Sequence, residues 1–425
     1  MRAGDTLSLT VEKAAAGGRM LARHTGRVLL VSGAIPGEQV QVRIDQVKGG
    51  VAFGSTVSVE DSSSDRRSAG PDPSCGGNVF AHIAYTRQLT LKQEIVRDAF
   101  ARIAHLPVPD EVVVHASPER GYRMRARLHV HNDRIGFYRE ATHTLCDPAA
   151  TGQLLDAAVA VIRDISESLR SGRVAHASAL EISENIDASQ RAIALELLAD
   201  QQERGQWDGV LKVSAITGAA VTRRGHVLAS SGDLSVRDVL EIETPGGVGN
   251  VALVRQVGAF FQGNRYLLQT LVTRVLALLS PGAVIDLYAG SGLFGLAHAA
   301  AGRGPVTLVE SDRLALEGLR VNARPYPGDV TVIGRPVEQF VGSGDAIAAP
   351  SVLVDPPRTG LSRAVAAALA ASSTGRVVYV SCDVATLARD VRALADGGFR
   401  LRKMELFDLF PNTAHVETVS LLDRD

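Results

Sequence analysis

The chain has 425 residues, of which 45% are hydrophobic and 21% charged, and its formal net charge is −1. This length predicts two or three domains with real cores, and no apolar run approaches the roughly 18 residues that cross a bilayer. The first 13 residues lack the basic start and apolar stretch of a secretory signal. We therefore expect a soluble, cytoplasmic, monomeric protein with no membrane partner.

Three cysteines stand far apart, at Cys75, Cys146 and Cys382. They are too few for a disulfide framework, and the odd count leaves room for a reactive thiol. The cysteine content therefore predicts reduced thiols in a reducing compartment.

Residues 1–60 contain short alternating stretches separated by glycine turns, which predict a small antiparallel β-barrel. Basic residues could give this barrel a nucleic-acid-binding face, but a merely solvated surface explains them equally well. These residues are Arg19, Arg23, Arg27, Arg43 and Lys48.

Residues 61–248 are predicted to form a linker followed by a mixed α/β region. The stretch 61–74 is rich in Ser, Asp, Pro and Gly and has no periodicity that would bury a face. Apolar residues at helical spacing predict helices over 85–104 and 154–169, and 122–130 reads as a strand.

Three arginines lie two residues apart in that strand, at Arg123, Arg125 and Arg127. Side chains two apart in a strand share a face, so we name this set the arginine ladder. Guanidinium groups suit phosphates and stacked bases. RNA contact is the favoured interpretation, and a solvated face is the alternative.

From residue 249 onward, short apolar strands alternate with helices, a pattern that predicts a parallel sheet covered on both faces. The predicted strands are AVIDLY (283–288), VTLVE (306–310), VTVIG (330–334), SVLVD (351–355) and RVVYVS (376–381). Region 249–425 is therefore the predicted catalytic domain.

A glycine-rich turn follows the first of these strands, with Gly290 and Gly292 near its start. Glycines there allow the backbone to approach a ligand closely, and Glu310 at the end of the next strand can accept hydrogen bonds from two ribose hydroxyls. The spacing alone serves a nicotinamide dinucleotide or S-adenosylmethionine. The aspartates at strand ends, Asp286 and Asp355, favour S-adenosylmethionine.

Two strand ends carry further reactive groups. Asp355 precedes two prolines that fix a turn, and Cys382 follows the next strand. Ligands of open parallel sheets bind outside the carboxyl ends of the strands. Both side chains are thus expected to face the cofactor crevice, although a lone cysteine is usually a buried structural residue.

Five motifs in order resemble those of the RNA uracil-5-methyltransferases. They are AFFQGN (259–264), DLYAGSG (286–292), VDPPRTG (354–360), VSCDVATLARD (380–390) and FPNTAHVE (410–417). The N-terminal stretch GRVLLVSGAIPGE (26–38) resembles the RNA-binding barrel called TRAM, and 75–92 and 121–130 resemble the family's middle region. The resemblance implies a class I, Rossmann-like α/β domain behind a TRAM-like barrel and a central α/β domain.

The resemblance also implies roles for individual residues. Cys382 would be the nucleophile that adds to carbon 6 of uracil, and Glu417 would be the base that removes the carbon 5 proton. Phe260 would stack on the extruded uracil. The cofactor pocket for S-adenosylmethionine would be lined by Gln262, Tyr288, Glu310 and Asp355, together with Gly290 and Gly292. The partner would be RNA, with ribosomal RNA favoured over transfer RNA.

One departure concerns metal. Family members with a four-iron cluster use four cysteines, including a CGGC pair, but this chain has Asn78 in place of the second. Only Cys75 and Cys146 remain as counterparts, so we expect no iron–sulfur cluster. Zinc held by these thiols with His82 and His143 is an alternative, and two ordinary thiols in a small apolar core are favoured.

Two other functions remain open. Asp-Pro-Pro resembles the motif of amino-methyltransferases, but Arg358 stands where those enzymes usually have an aromatic residue. A non-catalytic RNA-binding or chaperone role would use the barrel and the arginine ladder alone. Neither function gives Cys382 and Glu417 a task.

Overall fold

The computed structural model describes residues 1–68, 70–171, 177–198, 207–343 and 347–424. Within these ranges, no helix is long and apolar enough to cross a membrane.

The N-terminal region is a closed barrel in the strand order β1-β2-β3-β5-β4. Its strands are β1 (Thr6–Ala14), β2 (Met20–His24), β3 (Arg27–Ser32), β4 (Gln39–Lys48) and β5 (Val51–Asp61). Alternate side chains such as Val11, Leu29 and Val42 fill its core. The predicted barrel is confirmed, except that β3 and β5 pair in parallel, so it is not wholly antiparallel.

One helix connects the barrel with the catalytic domain. Helix α1 (Tyr85–Ala99) continues into a π-helical turn over Phe100–Ala104, as the periodicity predicted. Leu91 and Ile95 pack into the barrel core, whereas Val96 packs into one core of the catalytic domain. Movement of the barrel relative to the catalytic domain would therefore disturb a buried helix.

The central region forms a seven-stranded sheet in the order β13-β12-β11-β10-β7-β8-β9. The elements here are β6 (Val113–His115), β7 (Arg125–His131), β8 (Arg134–Tyr138), β9 (Leu145–Cys146), α2 (Pro148–Thr151), α3 (Asp156–Arg170), β10 (Ala177–Glu184), β11 (Arg191–Leu197), α4 (Asp208–Leu211), β12 (Gly218–Arg223) and β13 (His226–Gly232). The apolar face of α3, with Ile162 and Ile165, covers one side of the sheet. Strand β6 leaves this region and joins the catalytic sheet beside β21.

A long hairpin precedes the catalytic domain, formed by β14 (Ser235–Thr244) and β15 (Gly247–Gln256). Leu240 and Val251 pack into a catalytic-domain core. The boundary predicted at 248/249 thus falls inside β15. The hairpin also contacts the central region, where Val236 packs with Ala192 and Arg255 donates to the Glu184 carbonyl. The sequence could not assign this hairpin to a domain, because the alternation of polar and apolar residues in a hairpin is the same in any domain.

The catalytic domain contains an eight-stranded sheet in the order β18-β17-β16-β19-β20-β22-β21-β6. Its own elements are α5 (Leu268–Leu278), β16 (Val284–Leu287), α6 (Leu293–Ala300), β17 (Val306–Glu310), α7 (Arg313–Ala323), β18 (Val330–Gly334), α8 (Val337–Gly342), β19 (Ser351–Val354), α9 (Arg363–Ala371), β20 (Arg376–Ser381), α10 (Val384–Asp396), β21 (Phe399–Phe407) and β22 (Glu417–Arg424). The five predicted strands are all present and pair in parallel from β18 to β20. Successive residues of β19 enter two different cores, Leu353 on one face and Val354 on the other. The predicted two-sided α/β domain is confirmed.

Candidate active site

The carboxyl ends of four neighbouring parallel strands, β17, β16, β19 and β20, lie along one edge of the catalytic sheet. Glu310 ends β17, the glycine turn follows β16, Asp355 follows β19 and Cys382 follows β20. The structure therefore brings these residues to the same crevice, as parallel pairing predicted.

The glycine turn has left-handed backbone at Tyr288, Gly290 and Gly292, with φ of 67°, 57° and 90°. A Cβ at Gly292 would lie 2.4 Å from a methyl of Leu296, so only glycine fits there. Gly290 has no heavy atom within 4 Å of where its Cβ would stand. The turn is thus packed tightly on its helix side and open on its crevice side.

Glu310 is held rigidly by backbone donors. Its Oε2 accepts from the Gly290 N–H at 2.7 Å, and its Oε1 accepts from the Ser311 and Asp312 N–H groups, both at 2.6 Å. A carboxylate oxygen can accept more than one hydrogen bond. Glu310 therefore retains acceptor capacity, in a fixed orientation, for a diol such as a ribose.

Asp286 lies beneath the turn and is fully buried. Its Oδ2 accepts from the Gly295 N–H at 3.1 Å, whereas Oδ1 has no partner among the described residues. Burial, with the charges of Asp355 and Glu310, raises its pKa well above the usual value. A cation bound nearby would relieve this repulsion. The three carboxylates thus fit a ligand that carries a ribose and a positive charge, as S-adenosylmethionine does.

The loop 259–264 forms another wall of the crevice. Gln262 is buried and donates from Nε2 to Asp355 Oδ2 at 3.2 Å, and burial raises the pKa of Asp355 to about 7. Asn264 anchors the loop by donating to the Leu409 carbonyl at 3.0 Å. Phe260, in contrast, is 64% exposed. A large aromatic ring held in solvent beside a polar pocket is suited to stacking on a planar ligand.

Cys382 and Glu417 lie at the same end of two paired strands. In the antiparallel pair β20–β22, Ser381 is the register partner of Thr418, so Cys382 and Glu417 are the next residues on each side. Burial, Glu417 and Asp355 raise the pKa of the Cys382 thiol to about 11. Cys382 is the free cysteine of the described chain.

Glu417 is a buried carboxyl group. Its Oε1 has no hydrogen-bond partner in the part of the chain that the structure describes. Burial and the charge of Asp355 raise its pKa well above the usual value, although Arg358 opposes this shift. A buried carboxyl with a raised pKa beside a thiol is a candidate for general acid or base chemistry.

Sequence reasoning missed the contacts that hold the loop before Glu417. Lys92 on α1 is fully buried, forms a short ion pair with Asp408 and donates to the Phe410 carbonyl at 3.2 Å. Gln88, one turn earlier, donates to Asn412 Oδ1 at 3.0 Å and accepts from the Asn412 N–H at 2.9 Å. The available signal was a pair of polar residues four apart on the apolar face of a predicted helix.

The arginine ladder alternates with buried residues, as predicted, but its members differ. Arg123 precedes β7, donates to Gln153 Oε1 at 2.7 Å and lies over the Phe410 ring at 5.7 Å. Arg127 is the exposed member, with 55% of its side chain accessible, and pairs with Glu181 at 2.6 Å. Arg123 is thus largely committed to packing, while Arg127 faces solvent.

Arg125 connects the ladder to the active site. Its Nη2 donates to the carbonyl of Gly258 at 3.3 Å, two residues before Phe260, and its distance to Glu181 is 3.5 Å. The ladder therefore leads along the sheet face to the loop that carries Phe260.

Cys75 and Cys146 form a disulfide, with their Cα atoms 5.8 Å apart, and both are buried. The expectation of two ordinary thiols is therefore wrong for this structure. The two positions are 71 residues apart, and only the fold brings them together. The zinc alternative has no support, because both thiols are used and His82 bonds instead to the Ala34 carbonyl at 3.1 Å.

Known proteins that are similar to this chain are RNA methyltransferases. A family profile described as tRNA (Uracil-5-)-methyltransferase matches residues 344–425, and a TRAM domain profile matches residues 2–57. The 23S rRNA (uracil(1939)-C(5))-methyltransferase of Pseudomonas entomophila is 30% identical over 99% of this chain and 94% of its own length. An uncharacterized RNA methyltransferase of Streptomyces coelicolor is also 30% identical, over 99% and 93%.

Among solved structures, the tRNA (uracil-54, C5)-methyltransferase of Pyrococcus abyssi, in complex with S-adenosyl-L-homocysteine, has the same fold. The TM-score is 0.75 at 23% identity, covering 98% of this chain and all of that one. The full-length match to relatives at 30% identity, together with the five motifs at one sheet edge, shows that this chain belongs to the RNA uracil-5-methyltransferase family.

Proposed function

We propose that this protein transfers a methyl group from S-adenosylmethionine to carbon 5 of a uridine in RNA, through a covalent bond between Cys382 and the base. The observation that carries the proposal is the placement of Cys382 and Glu417 at one end of β20 and β22, with Glu417 buried and its Oε1 without a partner among the described residues. Carbon 5 of uracil is too weak a nucleophile to react alone, and the two groups supply the missing steps.

The cofactor site is assigned from the same crevice. Glu310 would accept hydrogen bonds from the two ribose hydroxyls, the backbone of Gly290 and Gly292 would line the open side of the turn, and Gln262, Tyr288 and Asp355 would complete the pocket. When bound, S-adenosylmethionine supplies an electrophilic methyl group on a cationic sulfonium. Support comes from the rigid carboxylate of Glu310 and from the buried carboxyl groups of Asp286 and Asp355, whose raised pKa values a bound cation would lower.

The reaction uses Cys382 twice and Glu417 once. The Cys382 thiol would lose its proton to solvent, and the thiolate would add to carbon 6 while the electron pair of the 5,6 double bond moves toward oxygen 4, making an enolate. Carbon 5 would then take the methyl group of S-adenosylmethionine, and S-adenosylhomocysteine would leave. Glu417 removes the proton from carbon 5, the double bond re-forms, and the bond from sulfur to carbon 6 breaks. The thiolate is thereby regenerated.

The target base must leave its stack to reach this crevice. Phe260 is proposed to stack on the extruded uracil, because its ring is exposed on the loop that also carries Gln262. The arginine ladder is proposed to bind phosphates of the same RNA. Ribosomal RNA is the proposed substrate, supported by the full-length similarity to a ribosomal RNA enzyme.

The decisive experiment is Glu417→Gln. The variant still forms the bond between Cys382 and the base and still receives the methyl group, but it cannot remove the carbon 5 proton. A denaturing gel after incubation with substrate RNA and S-adenosylmethionine should show a stable protein–RNA band. Normal turnover by the variant would remove Glu417 from the role of base.

The double variant Cys382→Ala/Glu417→Gln is the matched control, because it carries any structural effect of Glu417→Gln but has no nucleophile. It should give no shifted band. Calorimetric titration with S-adenosylmethionine distinguishes a methyltransferase from a protein that only binds RNA, because an RNA chaperone would not bind the cofactor. Mapping 5-methyluridine in ribosomal and transfer RNA from a deletion strain identifies the substrate.

The enzyme is further proposed to act without an iron–sulfur cluster. A cubane cluster normally takes four thiolates, and in this structure Cys75 and Cys146 are bonded to each other. Protein purified without oxygen should lack sulfur-to-iron absorption near about 400 nm and contain no stoichiometric iron. Four irons per chain would refute this, whatever the outcome for Cys382.

A further inference from the structure

Beside the arginine ladder lies a cluster of three aromatic rings, formed by His129, Tyr138 and His143, which we call the aromatic stack. The rings of His129 and Tyr138 are parallel, with centroids 3.7 Å apart and an interplanar angle of 9°. His143 meets Tyr138 edge-on at 5.2 Å. His143 is exposed, and the other two rings are half-buried. The rings thus lie at the surface and not in a core.

The stack continues the ladder along one strand. In β7 the side chains at Arg125, Arg127 and His129 point to the same face, opposite the buried Ala126 and Leu128. Glu181 pairs with both arginines, so one net positive charge remains on this part of the face. Phosphate attraction here is correspondingly weakened, and an RNA strand needs further contacts to be held.

The hairpin that carries Tyr138 and His143 is braced from two sides. The Gly76 N–H donates to the Tyr138 carbonyl at 2.9 Å, and Glu140 N–H donates to the Ser74 carbonyl at 2.8 Å. The disulfide between Cys75 and Cys146 links the same segment to the hairpin. From the barrel, Arg19 reaches Glu140 at 2.9 Å. A braced hairpin presents its rings with little loss of conformational entropy on binding.

We propose that the aromatic stack is a binding site for an unpaired base of the substrate RNA, next to the uridine held in the active site. This inference rests on the proposed function and adds a second point of contact to it. Aromatic rings bind bases of any sequence by stacking, and the adjacent Arg127 lies where the phosphate of the same nucleotide would run. Burial, Arg127 and His143 lower the pKa of His129, so its ring is neutral at pH 7.

The path to the active site is continuous on this face. Arg125 donates to the carbonyl of Gly258, and Phe260 follows on the same loop. A strand of RNA laid along β7 therefore has one base at the stack, phosphates at the exposed arginine and the extruded uridine at Phe260. The site selects for single-stranded RNA, because a paired base cannot present its face to Tyr138.

The test uses fluorescence anisotropy with a labelled, single-stranded, uridine-containing RNA of about 12 nucleotides. Tyr138→Ala should weaken binding at least about fivefold, whereas Tyr138→Phe, which keeps the ring, should bind as the wild type does. The salt dependence of binding should be unchanged in Tyr138→Ala, because stacking releases no counterions. Thermal melting and calorimetry with S-adenosylhomocysteine check that the variant is folded.

If Tyr138→Ala does not fold, His143→Ala on the exposed loop replaces it. Its control is His131→Ala, at the last residue of β7. The proposal fails if the folded alanine variant at the stack, Tyr138→Ala or its replacement His143→Ala, binds the RNA within about twofold of wild type. Wild-type protein that binds no RNA would count against the proposed function itself. The two failures are thereby distinguishable without measuring methyl transfer.

Discussion

The catalytic crevice and the arginine face of the central sheet differ in how their ionisable groups are buried and paired. In the crevice, Asp286 and Glu417 are buried, each with an oxygen that lacks a partner among the described residues, and their pKa values are raised. On the arginine face, Arg127 and Arg125 share Glu181 and remain partly solvated. Burying an unpartnered polar group is costly, and we propose that a bound ligand relieves that cost in the crevice. Paired surface charges, in contrast, add little stability, and we propose that those on this face bind RNA.

The largest effect is expected from Cys382→Ala. In the proposed mechanism the thiol contacts the base and not the ribose or sulfonium pocket, so methyl transfer should fall at least about a hundredfold while cofactor affinity stays nearly unchanged. Single-turnover methyl transfer and calorimetry measure the two quantities. Retained activity would show that the crevice works without a covalent nucleophile.

A smaller but still large effect of pH is expected on the reactivity of the Cys382 thiol. Burial, Glu417 and Asp355 raise the pKa of Cys382 to about 11, so the free enzyme holds a neutral thiol at pH 7. Alkylation of Cys382 by iodoacetamide should therefore rise about tenfold per pH unit through the neutral range, without a plateau. Glu417→Gln should shift the profile to lower pH, since it removes a nearby negative charge. A plateau near neutral pH would contradict the predicted environment.

Replacement of single arginines should separate the members of the ladder. Arg127→Ala should lower the slope of log affinity against log salt by about one unit, because an exposed guanidinium releases one counterion from RNA. Arg123→Ala should mainly lower the melting temperature, because this side chain bonds Gln153 and packs over Phe410. Equal slopes for all variants would mean that the face is only solvated.

The smallest effect concerns stability. The folded-state pKa of Asp286 is raised above that of the unfolded chain, so its contribution is favourable below the unfolded pKa and is lost as pH rises toward the folded pKa. The melting temperature of the wild type should fall between about pH 6 and pH 9 as this contribution is lost. In Asp286→Asn that fall should be smaller by about 2 °C or more. Asp164→Asn, on an exposed helix face, is the control. An unchanged fall would indicate that Asp286 is already ionised in the folded protein at about pH 6, as it is in the unfolded chain.

The sequence alone predicted the parallel sheet and the residues at its carboxyl edge. Strand and helix periods are local properties, and parallel pairing then forces the ends of β16, β17, β19 and β20 to one side. Glu310, Asp355 and Cys382 could be placed together for that reason. The roles of Glu417 and Phe260 required the family resemblance, because neither stands at the end of a predicted strand.

Only the tertiary structure decided the contacts between distant segments. The disulfide joins Cys75 to Cys146, Lys92 meets Asp408, and the rings of Tyr138 and His129 stack, although no local pattern relates these residues. Each contact depends on how separately formed elements pack, which is set by the shapes of whole surfaces and not by the period of one segment. The sequence determined which chemistry the chain carries, and packing determined which side chains hold it in place.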